Sequence, residues 1–376
     1  MTDIGSLFLY GITFLVSILI ASMLEKQYCF NLGKCELKNI ADFTIIIFAC
    51  LPLVILSTFR YGVGVDYFSY YDDYIVVLTQ NYSLNDFDFE MKEVGYTFIT
   101  WLAINVFDSY RGLLFLSAWL TTVPVLIALL KYKRQYIVIG WSIYIITLYI
   151  SSFNGIRQHI AVSIIMLALV YFYKNNLLKG LICTFIAYLF HYTALIALAF
   201  PLFIKCSRMS RKTQLIVLIG VFSLGILCMG LLMKILENVP LIYFYLDKYS
   251  GTFDDMSLMH YISNFAFKFP LVVLMIYYYK KLIFDSKYNF ALLAFLLLDM
   301  MFVFGSYYIK WIIRLQYYTM LAYPLVIVNI ISNKSISNRK IILWLFIVWI
   351  SIRFVLWFGV AHYDSVIPYD YSFDLI

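Results

Sequence analysis

Long apolar runs separated by short polar stretches fill almost the whole chain. They fall at about 4–24, 43–59, 94–107, 113–130, 136–150, 156–173, 181–204, 213–235, 263–279, 288–304, 315–331 and 341–360. A helix needs about 20 apolar residues to cross about 30 Å of hydrocarbon, and most of these runs approach that length. They are unbroken, whereas barrel strands alternate with period two over about ten residues, so a transmembrane barrel is excluded. The pattern predicts an all-α, polytopic integral membrane protein of about 10 to 12 transmembrane or re-entrant helices. Two runs are irregular: 94–107 is short for a span, and 181–204 is interrupted near His191-Tyr192-Thr193. If both are re-entrant or interfacial, ten full crossings remain. Residues 1–376 then form a single transmembrane domain, with no internal repeat and no low-complexity linker.

Composition agrees: 64% of the 376 residues are hydrophobic and 13% are charged, against about 45–50% and about 25% in soluble domains. A water-soluble globule is excluded. The first residues lack a basic leader and a small-residue cleavage site, so 4–24 reads as a retained first span. The net charge of +7 comes with no basic run interleaved with aromatics outside the apolar segments, so membrane lipid is the expected partner and nucleic acid is not.

With ten crossings the connections 25–42, 131–135, 174–180, 205–212, 280–287 and 332–340 share one side and hold 18 of the 28 Lys and Arg. That asymmetry marks them as cytoplasmic. Both chain ends, the long segments 60–93 and 236–262 and the tail 361–376 then lie outside. Were both irregular runs to cross fully, Lys131, Lys133 and Arg134 would face outward instead. Cys29, Cys35 and Cys206 fall in inside loops and Cys50, Cys183 and Cys228 in spans, a distribution that suits a reducing cytosol and argues against a disulfide framework. His159, His260 and His362 show no metal spacing, and neither a metal nor another cofactor is expected.

The informative positions are cations on the uncommon side. Arg60 ends the second run, Arg157 opens the sixth, Arg314 heads the eleventh and Arg353 lies inside the twelfth. An arginine at or within the membrane is costly and defaults to a functional hypothesis; snorkelling or an internal salt bridge is the plain alternative. Asn154, Arg157, Gln158 and Ala161 share a helical stripe, as do Lys310, Arg314, Tyr317 and Tyr318. Guanidinium forks match phosphate oxygens bidentately and keep their charge when desolvated, so these stripes suit a pyrophosphate held at the membrane surface, in one pocket open away from the cytosol.

Opposite in charge is RYGVGVDYFSYYDDY, from Arg60, followed by Asp86, Asp88, Glu90 and Glu93. Gly62 and Gly64 free the backbone where the run ends, and Asp66, Tyr67, Tyr70, Asp72 and Asp73 follow at once. Asp66 is the leading candidate base, given burial that raises its pKa, with Glu93 or His191 as substitutes. Asp72 and Asp73 read as solvated. Tyr and Phe total 67 residues and cluster near run ends, as aromatic belts require; aromatic faces such as Tyr67, Tyr70 and Tyr318 would also suit sugar rings.

RYGVGVDYFSYYDDY, EVGYTFITWL from Glu93, NGIRQHIAVSIIMLALVYFYKNN from Asn154, FHYTALIALAFPLF from Phe190 and IPYD from Ile367 together resemble the EpsG-like, Wzy-type polysaccharide polymerases. The likeness spans nearly the full chain, with its order and spacing more telling than any one motif. Val65 stands where such proteins commonly have a small or polar residue, and His159 where an apolar or small one is more usual; the second departure leaves open which histidine matters. The resemblance implies a GT-C-like membrane glycosyltransferase acting on O-antigen, capsule or exopolysaccharide. It would need no nucleotide sugar and would pass a growing glycan from one undecaprenyl-pyrophosphate carrier to a lipid-linked repeat unit on another, at the outer face of the bacterial inner membrane. A chain-length regulator is the protein partner such an enzyme would take. Two other readings stay open on the residues alone: an O-antigen ligase, which would need the same cations, and a lipid-linked oligosaccharide transporter or flippase, for which broken segments could line a path. A membrane acyltransferase using His191 has no second motif behind it.

Overall fold

The computed structural model describes residues 1–29, 35–79, 93–236, 258–285, 288–307 and 310–373. Much of the expected outer segments, including Asp86, Asp88, Glu90 and Lys92, lies outside the described residues. Among the described residues the chain is all-helical, and its one β feature is an antiparallel bridge between Arg60 and Tyr371. Among the described residues, six helices are long and apolar enough to cross a membrane: Asp3–Lys26, Ile40–Phe59, the run Tyr110–Phe153, Ile156–Tyr173, Ile312–Ser332 and Arg339–Val360. Shorter apolar helices include Val94–Phe107, Leu177–Phe190 and Asn289–Gly305. Residues 1–198 with 340–376 form one compact unit and 199–339 another.

The larger unit contains α1 (Asp3–Cys29), α2 (Cys35–Phe59), α3 (Tyr67–Thr79), α4 (Val94–Leu102), α5 (Tyr110–Lys133), α6 (Ile137–Tyr144), α7 (Ile156–Tyr173) and α8 (Leu177–Phe190). Each long helix is apolar all round, so burial is decided by fit. In α1 the residues Tyr10, Phe14, Ser17, Ala21 and Leu24 face inward at helical spacing, while Ile4, Phe8, Ile12, Leu15 and Leu19 stay exposed. Small polar groups mark the inner seam. Ser17 Oγ donates to the Ala49 carbonyl at 2.6 Å and accepts from Trp141 Nε1 at 3.0 Å, which joins α1, α2 and α6. The 44-residue run from Tyr110 would extend about 66 Å if straight, more than twice the hydrocarbon core. It folds back instead through extended backbone at Lys133 and a 3-10 turn at Arg134–Tyr136.

Polar connections collect at two ends of this unit. At one, the Arg134 fork grips Asp42 at 2.5 Å through both nitrogens and Nε donates to the Leu24 carbonyl, while Lys131 and Lys179 both lie over the Tyr171 ring. At the other, the segment after α2, the starts of α4 and α7 and the end of α8 meet the chain termini. Met1 donates to the Tyr369 carbonyl, and the backbones of 59–61 and 370–372 pair. The sequence-based sorting of loops 25–42, 131–135 and 174–180 away from 60–73 and the tail follows the same division.

The smaller unit comprises α9 (Ala199–Cys206), α10 (Arg211–Leu236), α11 (Leu258–Tyr277), α12 (Tyr279–Asp285), α13 (Asn289–Gly305), α14 (Gln316–Thr319) and α15 (Ala322–Ser332); α16 (Arg339–Phe354) returns to the larger one. The central helix α13 packs against α9, α10, α11 and α15. Within it Asp299 is paired with Lys268 at 2.7 Å and accepts from Thr319 Oγ1 at 2.9 Å and from the Tyr323 hydroxyl. A buried carboxylate survives in such surroundings because cation and hydroxyls together replace its water.

Candidate functional site

The segment leaving α2 is shaped by glycine. Gly64 has φ +102°, and a Cβ there would lie 2.8 Å from Asn154 Oδ1 and 2.9 Å from the Phe153 carbonyl, so no other residue fits. The next turn is tied to the start of α7 in both directions. The Asp66 N–H donates to Asn154 Oδ1 at 3.1 Å, and Asp66 Oδ2 accepts from the Gly155 N–H at 3.0 Å. Gly155 is the N-cap of α7 and brings no side chain, so Asp66 supplies the anionic cap from across the fold. Asn154 Nδ2 reaches on to the Asp364 carbonyl at 2.9 Å, and the Gly64 N–H donates to the Ser365 carbonyl at 3.0 Å.

At the second residue of α7, Arg157 is the hub of a charged cluster. Its Nη1 lies 3.1 Å from Glu93 Oε2 and its Nη2 lies 3.5 Å from Asp73 Oδ2. The guanidinium carbon sits 5.4 Å from the Tyr70 ring centre and 5.2 Å from that of Tyr96, so aromatic faces hold the fork. Burial pushes the Tyr70 phenol above its ordinary range, and Arg157 draws it partly back. Glu93 is 7% exposed, yet 35% of Arg157 and 27% of His191 remain accessible. The second oxygen of Glu93 meets His191 Nδ1. An ionised carboxylate can only accept, so Nδ1 carries a proton, and in the neutral ring Nε2 is the acceptor.

Two backbone features place this pair. Glu93 has φ +67°, outside the usual region for a non-glycine residue, and its N–H donates to the Tyr192 hydroxyl at 3.2 Å. α8 ends at Phe190, and His191 is extended (φ −160°) before a 3-10 stretch over Tyr192–Leu198. Interruption near His191 was expected from the sequence. Fourteen residues of α8 rise about 21 Å, short of about 30 Å of hydrocarbon.

The remaining candidates separate. Arg60 is 2% exposed, lies 4.4 Å from the Phe153 ring centre and 6.0 Å from that of Tyr67, and has Nε and Nη1 buried without a hydrogen-bond partner. Burial lowers its pKa, while the surrounding Tyr110, Tyr149 and Tyr67 act the other way. Arg353 stacks on Trp357 at 4.8 Å. Gln158 is buried although its neighbour Arg157 is not, as neighbours in a helix point about 100° apart, and the expected stripe does not extend to Asn154, because Asn154 and Gly155 are non-helical and α7 begins only at Ile156. Arg314 belongs to the smaller unit, where Lys310–Leu315 is 3-10; with that spacing Arg314 is exposed and Tyr318 is fully buried. The tail residues of IPYD pack against α2: Tyr369 Oη donates to the Leu56 carbonyl at 2.8 Å.

Sequence reading passed over Asp73 as solvated and did not single out Tyr96. A tyrosine three residues after Glu93, on the same face of α4, was the available signal. The assembled group offers a held-open cation, a partly accessible imidazole with a free-facing acceptor nitrogen and buried aromatic rings, all at one end of one unit. That set can bind an anionic leaving group and take a proton from a neighbouring hydroxyl.

Compared with known proteins, the EpsG family model matches residues 43–371. No curated protein and no solved structure matches the chain.

Proposed function

Since the chain belongs to the EpsG family, whose members are polysaccharide-polymerase-type membrane proteins, we propose that it extends a bacterial surface glycan without a nucleotide sugar. It moves a growing chain from undecaprenyl pyrophosphate to the repeat unit carried on a second lipid. Ten crossings in a GT-C-like arrangement, with the Arg157 end facing outward, suit this reading, since the opposite end carries Arg134, Lys131 and Lys179.

The observation that carries it is the Arg157 fork, held between two tyrosine rings and still partly open. In the reaction an acceptor hydroxyl oxygen bonds to the anomeric carbon of the growing chain. The bond from that carbon to the carrier diphosphate breaks, and the diphosphate leaves with the electron pair. Arg157 meets the growing charge as the exposed Asp73 gives way. The hydroxyl proton passes to His191 Nε2, whose ring Glu93 orients through Nδ1. Asp66 is the alternative base, but one of its oxygens already caps α7. Arg60, caged by Phe153 and Tyr67, fixes the segment that carries Asp66, and its buried nitrogens add positive potential.

Purified protein in vesicles with lipid-linked repeat units and no nucleotide sugar is expected to make longer glycans. Arg157→Lys is expected to lower the elongation rate at least tenfold, about 1.4 kcal/mol of transition-state stabilisation. Transfer of single units to lipid A without elongation, or passage across the bilayer without bond formation, would overturn the reading in favour of a ligase or a transporter.

A further inference from the structure

Beside the Arg157 cluster, and not part of it, a cleft of about 500 Å³ opens between residues 61–63 and 362–370. Its size is within the range of about 300–1,000 Å³ common for small-ligand sites. We propose that this cleft, lined by Tyr61, Val63, His362, Ser365, Pro368 and Asp370, holds the sugar residues of the acceptor repeat unit; this rests on the polymerase reading above.

The lining decides the ligand class. It contains no lysine or arginine, and Asp370 adds an anionic side chain at its rim, so a diphosphate is repelled there. A carboxylate, a hydroxyl and the His362 imidazole, whose Nδ1 meets the Ile367 carbonyl at 3.0 Å and whose Nε2 lies 3.7 Å from Asp3, together with Val63, Ile367 and Pro368 match a neutral ligand with many hydroxyls and apolar ring faces. Tyr61 supplies the matching aromatic surface: its ring is braced edge-on by Tyr67 and Phe68 and stays 39% exposed. One wall is held in costly backbone conformations, with φ +48° at His362, +66° at Asp364 and +48° at Ser365, and the other turns at Gly62. Such strain persists where surrounding structure over-determines it and gathers at ligand sites. The walls are also joined to the chemistry, because Asn154, which bonds Asp364 and the Asp66 N–H, directly precedes the Gly155 cap of the helix bearing Arg157. Sugars seated here would lie next to the donor diphosphate without competing for its cation.

The test uses the purified full chain, with oligosaccharides released by partial hydrolysis of the host's own surface polysaccharide as one probe and inorganic pyrophosphate as the other. Tyr61→Ala, and His362→Asn, which tolerates the left-handed backbone, are expected to weaken oligosaccharide binding at least tenfold with unchanged thermal unfolding and unchanged pyrophosphate affinity. Unchanged oligosaccharide affinity in both variants would overturn the cleft assignment, and parallel loss of pyrophosphate binding would assign these residues to the diphosphate instead. If wild-type protein elongates lipid-linked repeats while the cleft variants bind normally, only the cleft assignment fails; if it neither elongates nor binds either probe, the polymerase reading fails as well.

Discussion

Single side chains at this site work through what they hold. Glu93 is nearly buried and holds two donors at once, the Arg157 fork and the Nδ1–H of His191. Glu93→Gln keeps the shape but removes the charge that fixes both. It is expected to lower elongation by roughly 100-fold or more, within the range of about 10²–10⁴ that a positioned acid–base group contributes, with little change in helix content by circular dichroism. Equal activity in that variant would assign the cluster to structure alone. Gly64→Ala tests the backbone instead. Its Cβ would sit 2.8 Å from Asn154 Oδ1 at a φ of +102°, and the cost is expected at about 1–3 kcal/mol, read as a lower midpoint of thermal unfolding in detergent.

Among elements, α7 and α8 matter most because one presents Arg157 and the other ends at His191. Their separation is set by Gly180, where a Cβ would come within 2.3 Å of the Phe172 ring. Gly180→Val is expected to destabilise the protein by about 1–3 kcal/mol through overpacking and to reduce elongation with it. Phe172→Leu in the same chain should recover part of both losses; failure to recover either would mean that helix spacing is not what couples the two residues. The shortness of α8 has a function in this scheme. A full-length span would carry His191 past Glu93, whereas the break after Phe190 leaves the imidazole beside it.

For the molecule as a whole, the two polar ends of the larger unit predict its orientation. Asp72→Cys, at the Arg157 end, is expected to react with a membrane-impermeant maleimide on intact cells, and Lys179→Cys, at the Arg134 end, only after permeabilisation. The reverse result would place the site in the cytosol and remove the outer-leaflet mechanism. The smaller unit holds its own charge pair, Lys268 and Asp299, both almost fully buried. Lys268→Met strands the carboxylate and is expected to cost about 3–5 kcal/mol, while Lys268→Met with Asp299→Leu should restore much of the loss, as replaced buried ion pairs do. Thermal unfolding of the four combinations measures the coupling.

The helical membrane architecture and the break near His191 could be read from residue order, because hydrophobic run length and charge asymmetry are local properties with a direct cost in lipid. The family likeness was legible for the same reason: RYGVGVDYFSYYDDY, NGIRQH and IPYD are stretches of contiguous residues. Which faces of those helices touch protein was not legible, since α1 is as apolar on its exposed Ile4 and Phe8 as on its buried Tyr10 and Phe14. The same holds for the candidate arginines, which look alike in sequence. Only packing over long chain separations made Arg157 a clamped and accessible cation, Arg60 a caged one and Arg353 a partner of Trp357. Tertiary structure also turned Asp66 into the cap of a helix that begins 90 residues later, a role set by where the backbone passes and not by any neighbour in the chain.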